Sequence, residues 1–236
     1  MKFLLMSDLH YNFSTDSKVI VKKYIELSTN NIDAVILAGD IININEPRVW
    51  DEVLSIIKYK FKDLPIYMVF GNHDFWDKYV EYSNVCNQQS KMIKKYNINC
   101  VENSFFCFEN ILITGYNGWY AFSNPPSNDK YFMPKLINDV PFNDYLRYIS
   151  EKQLDIIISK LHQYEKVIIA THFEPNGHQM GASLNDIDKI IKAMNKTKVT
   201  LCCGHTHKRN LITDGNFRLI NSGGDYESPD SCIFEF

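Results

Sequence analysis

The segment Gly204-His205-Thr206-His207 places two histidines two positions apart, directly after an apolar run that is typical of a buried strand. Residues that can bind metal ions also follow four other apolar runs of the chain. Ligands of open α/β sheets bind at the carboxyl ends of the strands, so these side chains are expected to converge although they are far apart in sequence. In chain order they are Asp8 and His10, then Asp40, then Asn72, His73 and Asp74, then His172, and finally His205 and His207.

The combination of Asp, Asn and His provides both oxygen and nitrogen ligands. This mixture suits manganese, iron, cobalt, nickel or zinc better than an all-oxygen magnesium site or a thiolate zinc site. Alternate residues of an extended chain point to the same side, so His205 and His207 could bind two neighbouring ions. Two ions about 3.5–4 Å apart can hold a phosphoryl group and activate a water molecule. The glycines that precede Asp40, Asn72 and His205 would let the backbone turn sharply beside such ions.

The ordered motifs Asp-x-His, Gly-Asp, Gly-Asn-His-Asp, His and Gly-His-x-His span nearly the whole chain. In this order, each after a predicted strand, they resemble the calcineurin-like metallophosphoesterase family. The resemblance implies two divalent metal ions, with manganese favoured and iron, zinc, cobalt or nickel as alternatives. It implies two sets of ligands joined by one bridging carboxylate: Asp8, His10 and His207 for one ion, Asn72, His172 and His205 for the other, and Asp40 between them.

The resemblance also implies a reaction, in which a metal-activated hydroxide attacks the phosphorus atom in line. His73 would contact the substrate phosphate instead of binding metal, and would stabilise charge or protonate the leaving oxygen. Asp74 would orient His73, as carboxylates commonly do for functional imidazoles; the alternative for Asp74 is a structural role in the turn. We therefore predict an enzyme, a metal-dependent phosphoric ester hydrolase, with His73 and Asp74 as catalytic residues.

The motifs differ from those of the family's protein serine/threonine phosphatases, which carry one arginine after Gly-Asp and another before Gly-Asn-His. Here Ile41 follows Gly-Asp, and Phe70 precedes Gly-Asn-His. Lipid-linked nucleotide hydrolases that resemble this set usually carry arginine at the position of His73. The predicted substrate is therefore a small phosphodiester or phosphomonoester. The two alternatives are a metal-dependent nuclease and a non-catalytic binding scaffold on the same fold.

Four side chains are predicted to contact the substrate, namely Phe75, Trp76 and Lys208 beside the motifs and Trp119 in the long segment at about 116–148. Phe75 and Trp76 directly follow Gly-Asn-His-Asp, and Lys208 directly follows His-x-His. For the aromatic residues the alternative is packing within the protein, because large rings bury much apolar area. For Lys208 the alternative is a solvated charge with no role at the site.

Short apolar runs that alternate with helical patterns must position these residues. This alternation predicts an α/β fold with a mostly parallel core. The resemblance specifies it as a two-sheet mixed β-sandwich flanked by helices, the metallophosphoesterase-like αββα arrangement. The predicted strands are Phe3–Met6, Ala34–Ala38, Ile66–Phe70, Phe105–Phe108, Ile111–Gly115, Val167–Ala170 and Val199–Cys203.

Turn and capping patterns add local detail to this prediction. Two hairpins are predicted, one across Glu109–Asn110 and one with Asp214–Gly215 as its turn. Ser150 and Gln153 form a capping-box pattern before a helix, and Asn185 or Asp186 could cap another. The early helices are predicted at Val19–Leu27, at Trp50–Ile57 after Pro47, and within Tyr79–Tyr96.

Residues 1–236 are predicted to form a single metallophosphoesterase domain with a long insertion or lid at about 116–148. The insertion is rich in proline and aromatic residues, and strands resume after it. Long segments of this kind in compact domains are often functional.

Composition limits the partners. The net charge of −3 and the pI of about 6.2 provide no positive field for nucleic acid, which weakens the nuclease alternative. The first apolar stretch is too short for a signal peptide or a membrane span. Six cysteines without a CxxC motif are expected to be reduced thiols. We therefore predict a cytoplasmic protein that binds a small phosphate ester, with no membrane partner and no strong signal for nucleic acid, while the oligomeric state stays open.

Overall fold

Two β-sheets pack face to face in the residues that the computed structural model describes, which are 1–29, 31–119, 127–134, 142–175 and 186–236. Helices cover the outer face of each sheet. In chain order the elements are β1 (Lys2–Met6), α1 (Thr15–Leu27), β2 (Ala34–Ala38), α2 (Pro47–Lys60), β3 (Ile66–Val69), α3 (Asn72–Phe75), α4 (Tyr82–Tyr96), β4 (Asn99–Cys100), β5 (Phe105–Phe108), β6 (Ile111–Gly115), α5 (Ser127–Phe132), α6 (Phe142–Lys160), a 3-10 turn (Leu161–Gln163), β7 (Lys166–Ala170), α7 (Asp186–Met194), β8 (Lys198–Cys203), β9 (Asn210–Asp214), β10 (Phe217–Asn221) and β11 (Ser231–Glu235).

The centre of each sheet is parallel. The first sheet has the strand order β11-β1-β2-β3-β4, and the second has the order β5-β6-β7-β8-β10-β9. Among the described strands the antiparallel pairs are β1–β11, β5–β6 and β10–β9, and each pair includes one strand at a sheet edge, namely β11, β5 or β9. The parallel pairs direct the ends of β1, β2 and β3 to one edge of the first sheet, and those of β7 and β8 to one edge of the second. This confirms the predicted two-sheet α/β sandwich.

Alternation along the strands produces three layers of core. In β1, Phe3 and Leu5 pack between the two sheets, whereas Leu4 and Met6 pack against the helices of the first sheet. Successive side chains of a strand point to opposite faces, and both faces are covered here. A third layer lies between the second sheet and helices α6 and α7. Burial on both faces explains why these strands are continuously apolar in sequence.

The second hairpin differs from the prediction by one residue. Asp214 is the last residue of β9 and pairs with Phe217, so the two-residue turn is Gly215–Asn216. Gly215 has a φ of 57°. The first central position of a tight hairpin turn commonly needs a positive φ, which glycine adopts without strain.

The predicted capping box at Ser150 and Gln153 is wrong, because α6 already begins at Phe142 and passes through both residues. Their side chains serve a different purpose. The Ser150 hydroxyl accepts a hydrogen bond from the backbone amide of Trp119 at 3.0 Å, and Oε1 of Gln153 accepts one from the amide of Asn117 at 3.0 Å. Both contacts fix the chain after β6 against α6.

Several other predictions concern the chain as a whole. All six cysteines are free thiols, as expected. Among the described helices, none combines the length and the apolar character needed to cross a bilayer. Residues 120–126 and 135–141 of the predicted insertion lie outside the described residues, so its role as a lid stays a prediction. The predicted cap Asn185 also lies outside the described residues.

Candidate metal centre

Five loops bring the predicted metal ligands to one edge of the β-sandwich. Each loop follows the carboxyl end of a strand, namely β1, β2 and β3 in the first sheet and β7 and β8 in the second. Residues that are far apart in the chain therefore meet in one place. The residues that the structure brings together here are Asp8, His10, Asp40, Asn72, His172, His205 and His207.

Most of these residues have an unusual backbone conformation. Nine non-glycine residues of the described chain have a positive φ, and five of them are predicted ligands. Such φ values are unfavourable for residues with a Cβ atom, and they persist mainly where the surroundings hold them at functional sites. The five are Asp8 (55°), His10 (43°), Asp40 (51°), His205 (70°) and His207 (53°).

Two glycines leave the space that the ligands occupy. A Cβ atom on Gly71 would lie 2.1 Å from Oδ1 of Asp40, and one on Gly204 would lie 2.4 Å from Oδ2 of Asp8. Both separations are too short for any side chain. The sharp turn expected at the three glycines has a positive φ only at Gly39 (82°), and at Gly71 and Gly204 the absence of a side chain makes room for Asp40 and Asp8.

Asp8, His10 and His207 form the first cluster of donor atoms. Nε2 of His207 lies 3.4 Å from Nε2 of His10 and 3.5 Å from Oδ1 of Asp8. Nδ1 of His207 lies 2.8 Å from Oδ1 of Asp225, which turns Nε2 toward the other two residues. The backbone amide of His205 donates to both carboxylate oxygens of Asp8, at 3.0 and 3.1 Å. The first cluster is thus held by partners outside it.

His172 is the centre of the second cluster. Its Nδ1 donates to the carbonyl oxygen of Ala38 at 2.8 Å. Its Nε2 faces two oxygens, Oδ2 of Asp40 at 3.2 Å and Oδ1 of Asn72 at 3.1 Å. The ring of His205 meets that of His172 edge-on, with centroids 5.1 Å apart.

Asp40 lies between the two clusters. Its Oδ2 is 3.2 Å from Nε2 of His172 and 3.9 Å from Nε2 of His10. Its other oxygen, Oδ1, accepts a hydrogen bond from the backbone amide of His73 at 2.9 Å. One oxygen therefore faces histidines of both clusters, which is the position that a bridging ligand needs.

The donor atoms fit divalent metal ions in type and in spacing. Two nitrogens bound at 2.0–2.1 Å in a tetrahedral site are roughly 3.3 Å apart, and the Nε2 atoms of His10 and His207 are 3.4 Å apart. His73 also has a donor atom close to those of His10 and Asp40, so geometry offers it a role as a metal ligand, as an alternative to substrate contact. Within the part of the chain that the structure describes, three sets of residues have donor atoms within 4.8 Å of one another, namely Asp8–His10–His207, His10–Asp40–His73 and Asp40–His172–His205.

Burial and opposite charges shift the pKa values of the site. Burial acts to raise the pKa of Asp40, but the charges of His172 and His73 hold it well below its usual range. Burial acts to lower the pKa of His172, yet Asp40 raises it to about 10. Burial lowers the pKa of His10 to about 4 and that of His205 to about 3. At neutral pH the last two rings are therefore neutral, the form that binds metal, whereas a metal must displace a proton from His172.

His73 is held between two other rings beside the clusters. Its ring stacks on Trp76 with centroids 3.5 Å apart, and it meets His10 edge-on at 4.5 Å. Nδ1 of His73 donates to the carbonyl oxygen of Asn43 at 3.0 Å. This contact leaves Nε2 as the ring atom that could exchange a proton with a substrate.

The predicted pairing of Asp74 with the ring of His73 is wrong, because the ring is paired with Asn43. The buried carboxylate of Asp74 instead accepts hydrogen bonds from four backbone amides, at 2.9–3.2 Å. These amides belong to Asp40, Ile41, Ile42 and Gly71. Asp74 therefore ties the loop after β2 to the loop after β3, and positions His73 only through the backbone.

The predicted substrate contacts lie in different environments. Phe75 and Trp119 are each 3% exposed. Phe75 packs edge-on against Phe70, and Trp119 packs edge-on against Phe173. These positions favour core packing for both. Trp76 is also buried, but it contacts His73 directly, and the side chain of Lys208 is exposed.

Two residues after β10 line the site and were missed from the sequence. Tyr226 stacks on His10 with centroids 4.2 Å apart, and Asp225 is the partner of His207. Phe13, which is 49% exposed, lies 4.6 Å from the ring of Tyr226. Asp225 and Tyr226 follow Gly223-Gly224 outside the recognised motifs, so no spacing rule pointed to them.

A further buried residue was missed in the insertion. Asp129, in α5, accepts hydrogen bonds from Nδ2 of Asn72 at 3.0 Å and from Nε1 of Trp76 at 2.8 Å. A single acidic residue in a segment without periodicity carries no sequence signal of its own. The contact shows that part of the insertion packs on the candidate site.

Solved structures with the same fold are distant in sequence. Phosphopantetheinyl hydrolase from Mycobacterium tuberculosis is 15% identical, with a TM-score of 0.63 over 96% of this chain and 90% of its own. A putative 5′-nucleotidase from Staphylococcus aureus is 12% identical, with a TM-score of 0.58, and this chain spans only half of it (99% and 50%). GAP50, described as the anchor in the inner membrane complex of Plasmodium, is 12% identical, with a TM-score of 0.57 (99% and 80%). These similarities show the fold alone.

Comparison with curated proteins found no match. The family model of calcineurin-like phosphoesterases, in contrast, matches residues 1–209, which include all five motifs. The chain therefore belongs to the calcineurin-like phosphoesterase family.

Proposed function

We propose that this protein is a metal-dependent phosphoric ester hydrolase that uses two divalent ions to hydrolyse a small phosphodiester or phosphomonoester. The observation that carries the proposal is the position of Asp40, whose Oδ2 lies 3.2 Å from Nε2 of His172 and 3.9 Å from Nε2 of His10. Membership of a family of metal-dependent phosphoesterases supports the reaction class. Beyond the reaction class of the family, we propose the number of ions, their identity as manganese and the class of substrate.

The protein's own residues would divide the work in the following way. When bound, two divalent ions supply positive charge for the phosphate and lower the pKa of a water molecule. Asp8 and Asp40 would help to hold the ions and would offset their charge, with Asp40 placed between the two clusters. His73, fixed by Asn43 and Trp76, directs Nε2 toward the site and donates a proton to the leaving oxygen.

An aromatic surface beside the first cluster supports a small organic phosphate ester as the substrate. Tyr226 covers one face of His10, and the half-exposed ring of Phe13 continues this surface outward. Burial raises the pKa of Tyr226 to about 12, so its hydroxyl stays protonated and can donate a hydrogen bond. We propose that this surface contacts the alcohol part of the ester.

The net charge of −3 supports a small substrate over nucleic acid. The free cysteines support the cytoplasm as the place of action.

The test is a hydrolysis assay with an aryl phosphomonoester and a bis-aryl phosphodiester, with added Mn²⁺ and with a chelator as control. We expect turnover of at least one ester that the chelator abolishes and that Mn²⁺ restores. Both esters are needed because the structural neighbours include a protein named as a phosphopantetheinyl hydrolase and one named as a putative 5′-nucleotidase. Purified protein with neither bound metal nor turnover would instead support the scaffold alternative.

A further inference from the structure

We infer that Asp129 is a positioning residue that determines which atom of the Asn72 side chain faces the metal centre. The inference rests on the proposed function, because it assumes that a metal ion is bound there. It assigns the insertion a defined task at the site that differs from that of a lid.

Asp129 is placed to hold two neighbouring side chains at once. It is 2% exposed and lies in α5, with a single oxygen, Oδ1, that accepts from Nδ2 of Asn72 and from Nε1 of Trp76. The next turn of α5 adds Phe132, whose ring stacks on Trp76 at 4.9 Å. The carboxylate of Asp129 thus holds the indole N–H of Trp76, and the ring of Phe132 packs on the face of the same indole.

The chemistry of the asparagine side chain makes this contact decisive. The amide has one oxygen, which can bind a metal ion, and one NH₂ group, which can only donate hydrogen bonds. A flip of the amide exchanges the two. A carboxylate only accepts, so Asp129 holds Nδ2 on its own side and leaves Oδ1 of Asn72 directed at Nε2 of His172, 3.1 Å away.

The same oxygen connects the insertion to the proposed proton donor. Asp129 binds the indole of Trp76, and Trp76 stacks on His73 with centroids 3.5 Å apart. Loss of the carboxylate would therefore free Asn72 to flip and would loosen the support of His73. The first effect changes metal affinity, and the second changes turnover.

The test is a calorimetric titration of Mn²⁺ alone into chelator-stripped protein, with thermal unfolding of the metal-free form measured in parallel. We expect Asp129→Ala to weaken the binding of one ion by about 10–100-fold, the usual cost of losing a partner of a metal ligand. Asp129→Asn should retain most of the affinity, because its Oδ1 can still accept both hydrogen bonds. The matched control is Asp144→Ala, which removes a half-exposed carboxylate of the neighbouring helix α6.

A double-mutant cycle separates this role from a general structural one. If Asp129 acts through Asn72, then Asp129→Ala should weaken Mn²⁺ binding little further in an Asn72→Ala background. An equal further loss in that background would overturn the inference. If Asp129→Ala does not fold, Asp129→Leu replaces it, since leucine fills a similar volume but accepts no hydrogen bond.

Two negative results have different meanings. Wild-type protein that binds no Mn²⁺ would overturn the proposed function and this inference with it. Wild-type protein that binds Mn²⁺, together with an Asp129→Ala variant that binds it equally well, would overturn the inference and leave the proposed function in place.

Discussion

Nε2 of His10 and Nε2 of His207 lie 3.4 Å apart, although 197 positions separate the two residues in the chain. Asp225 pairs with Nδ1 of His207 and so directs Nε2 of that ring toward His10. Two imidazoles that face each other in this way direct their Nε2 atoms at the same point. A divalent cation at that point could bind both atoms, and this relation leads to the first prediction.

Replacing His207 by alanine should remove one of these donors and weaken Mn²⁺ binding by more than about 100-fold, since even partners of ligands typically contribute 10–100-fold. The His207 side chain is 23% exposed, so the fold should persist. Titration of chelator-stripped protein measures the effect, with the exposed His162→Ala as control. Unchanged affinity in His207→Ala would remove this residue from the ligand set.

Asp40→Asn should lower the pKa of His172 in the metal-free protein. Asp40 raises that pKa to about 10 against the effect of burial, so loss of its charge leaves burial to shift the pKa toward or below 6.5. The carboxamide oxygen can still accept from the amide of His73, which preserves the loop. An NMR titration of the histidine rings measures the shift. A pKa of His172 that stays near 10 would show that a group other than Asp40 raises it.

His73→Gln should lower kcat by about 10²–10⁴-fold, the usual contribution of a general acid, while Mn²⁺ affinity stays unchanged. The reason is that Nδ1 of His73 is paired with Asn43, which leaves Nε2 for proton transfer. Steady-state kinetics and metal titration are both needed. Loss of Mn²⁺ binding in this variant would favour a ligand role, which the grouping of His73 with His10 and Asp40 also allows.

Phe13→Ala should raise the KM for aryl esters by about 2–12-fold, which corresponds to roughly 0.5–1.5 kcal/mol for a lost aromatic contact. The ring of Phe13 extends the surface of Tyr226, and its backbone amide donates to the carbonyl oxygen of His10 at 2.9 Å, a bond that alanine retains. A phosphate ester of a short alkyl alcohol should show no such change. The control is Tyr59→Ala, which removes an exposed ring of helix α2. Equal changes for aryl and alkyl esters would exclude ring stacking as the cause.

Glu102→Gln should flatten the pH dependence of stability. Oε1 of Glu102 accepts from the amide of Phe70 at 2.7 Å, and burial raises the pKa of the carboxyl from 4.5 to about 7. Because the folded-state pKa is raised, the contribution to stability is greatest below pH 4.5 and is lost as the pH rises through 7. The Tm of the wild type should therefore fall relative to that of Glu102→Gln across this range, by about 2–4 °C for each 1 kcal/mol. Parallel Tm curves for both proteins would contradict this.

The sequence alone determined the strands and the residues that follow them. Buried strands such as Ala34–Ala38 are apolar along their whole length, and a parallel sheet directs their ends to one edge. The positions of Asp8, Asp40 and His172 after such strands therefore predicted their convergence. The sequence also indicated positions where the backbone passes close to another residue, such as Gly71 beside Asp40, because only glycine fits there.

Only the tertiary structure decided which partners hold these residues. Asp225 beside His207, Asn43 beside His73 and Asp129 beside Asn72 all come from loops or from the insertion, where no period relates residue type to position. Even Asp74, recognised from its motif, holds backbone amides and not the imidazole. The physical reason is that hydrogen bonds depend on where distant segments meet in space, whereas strand patterns depend only on which faces of the local chain are buried.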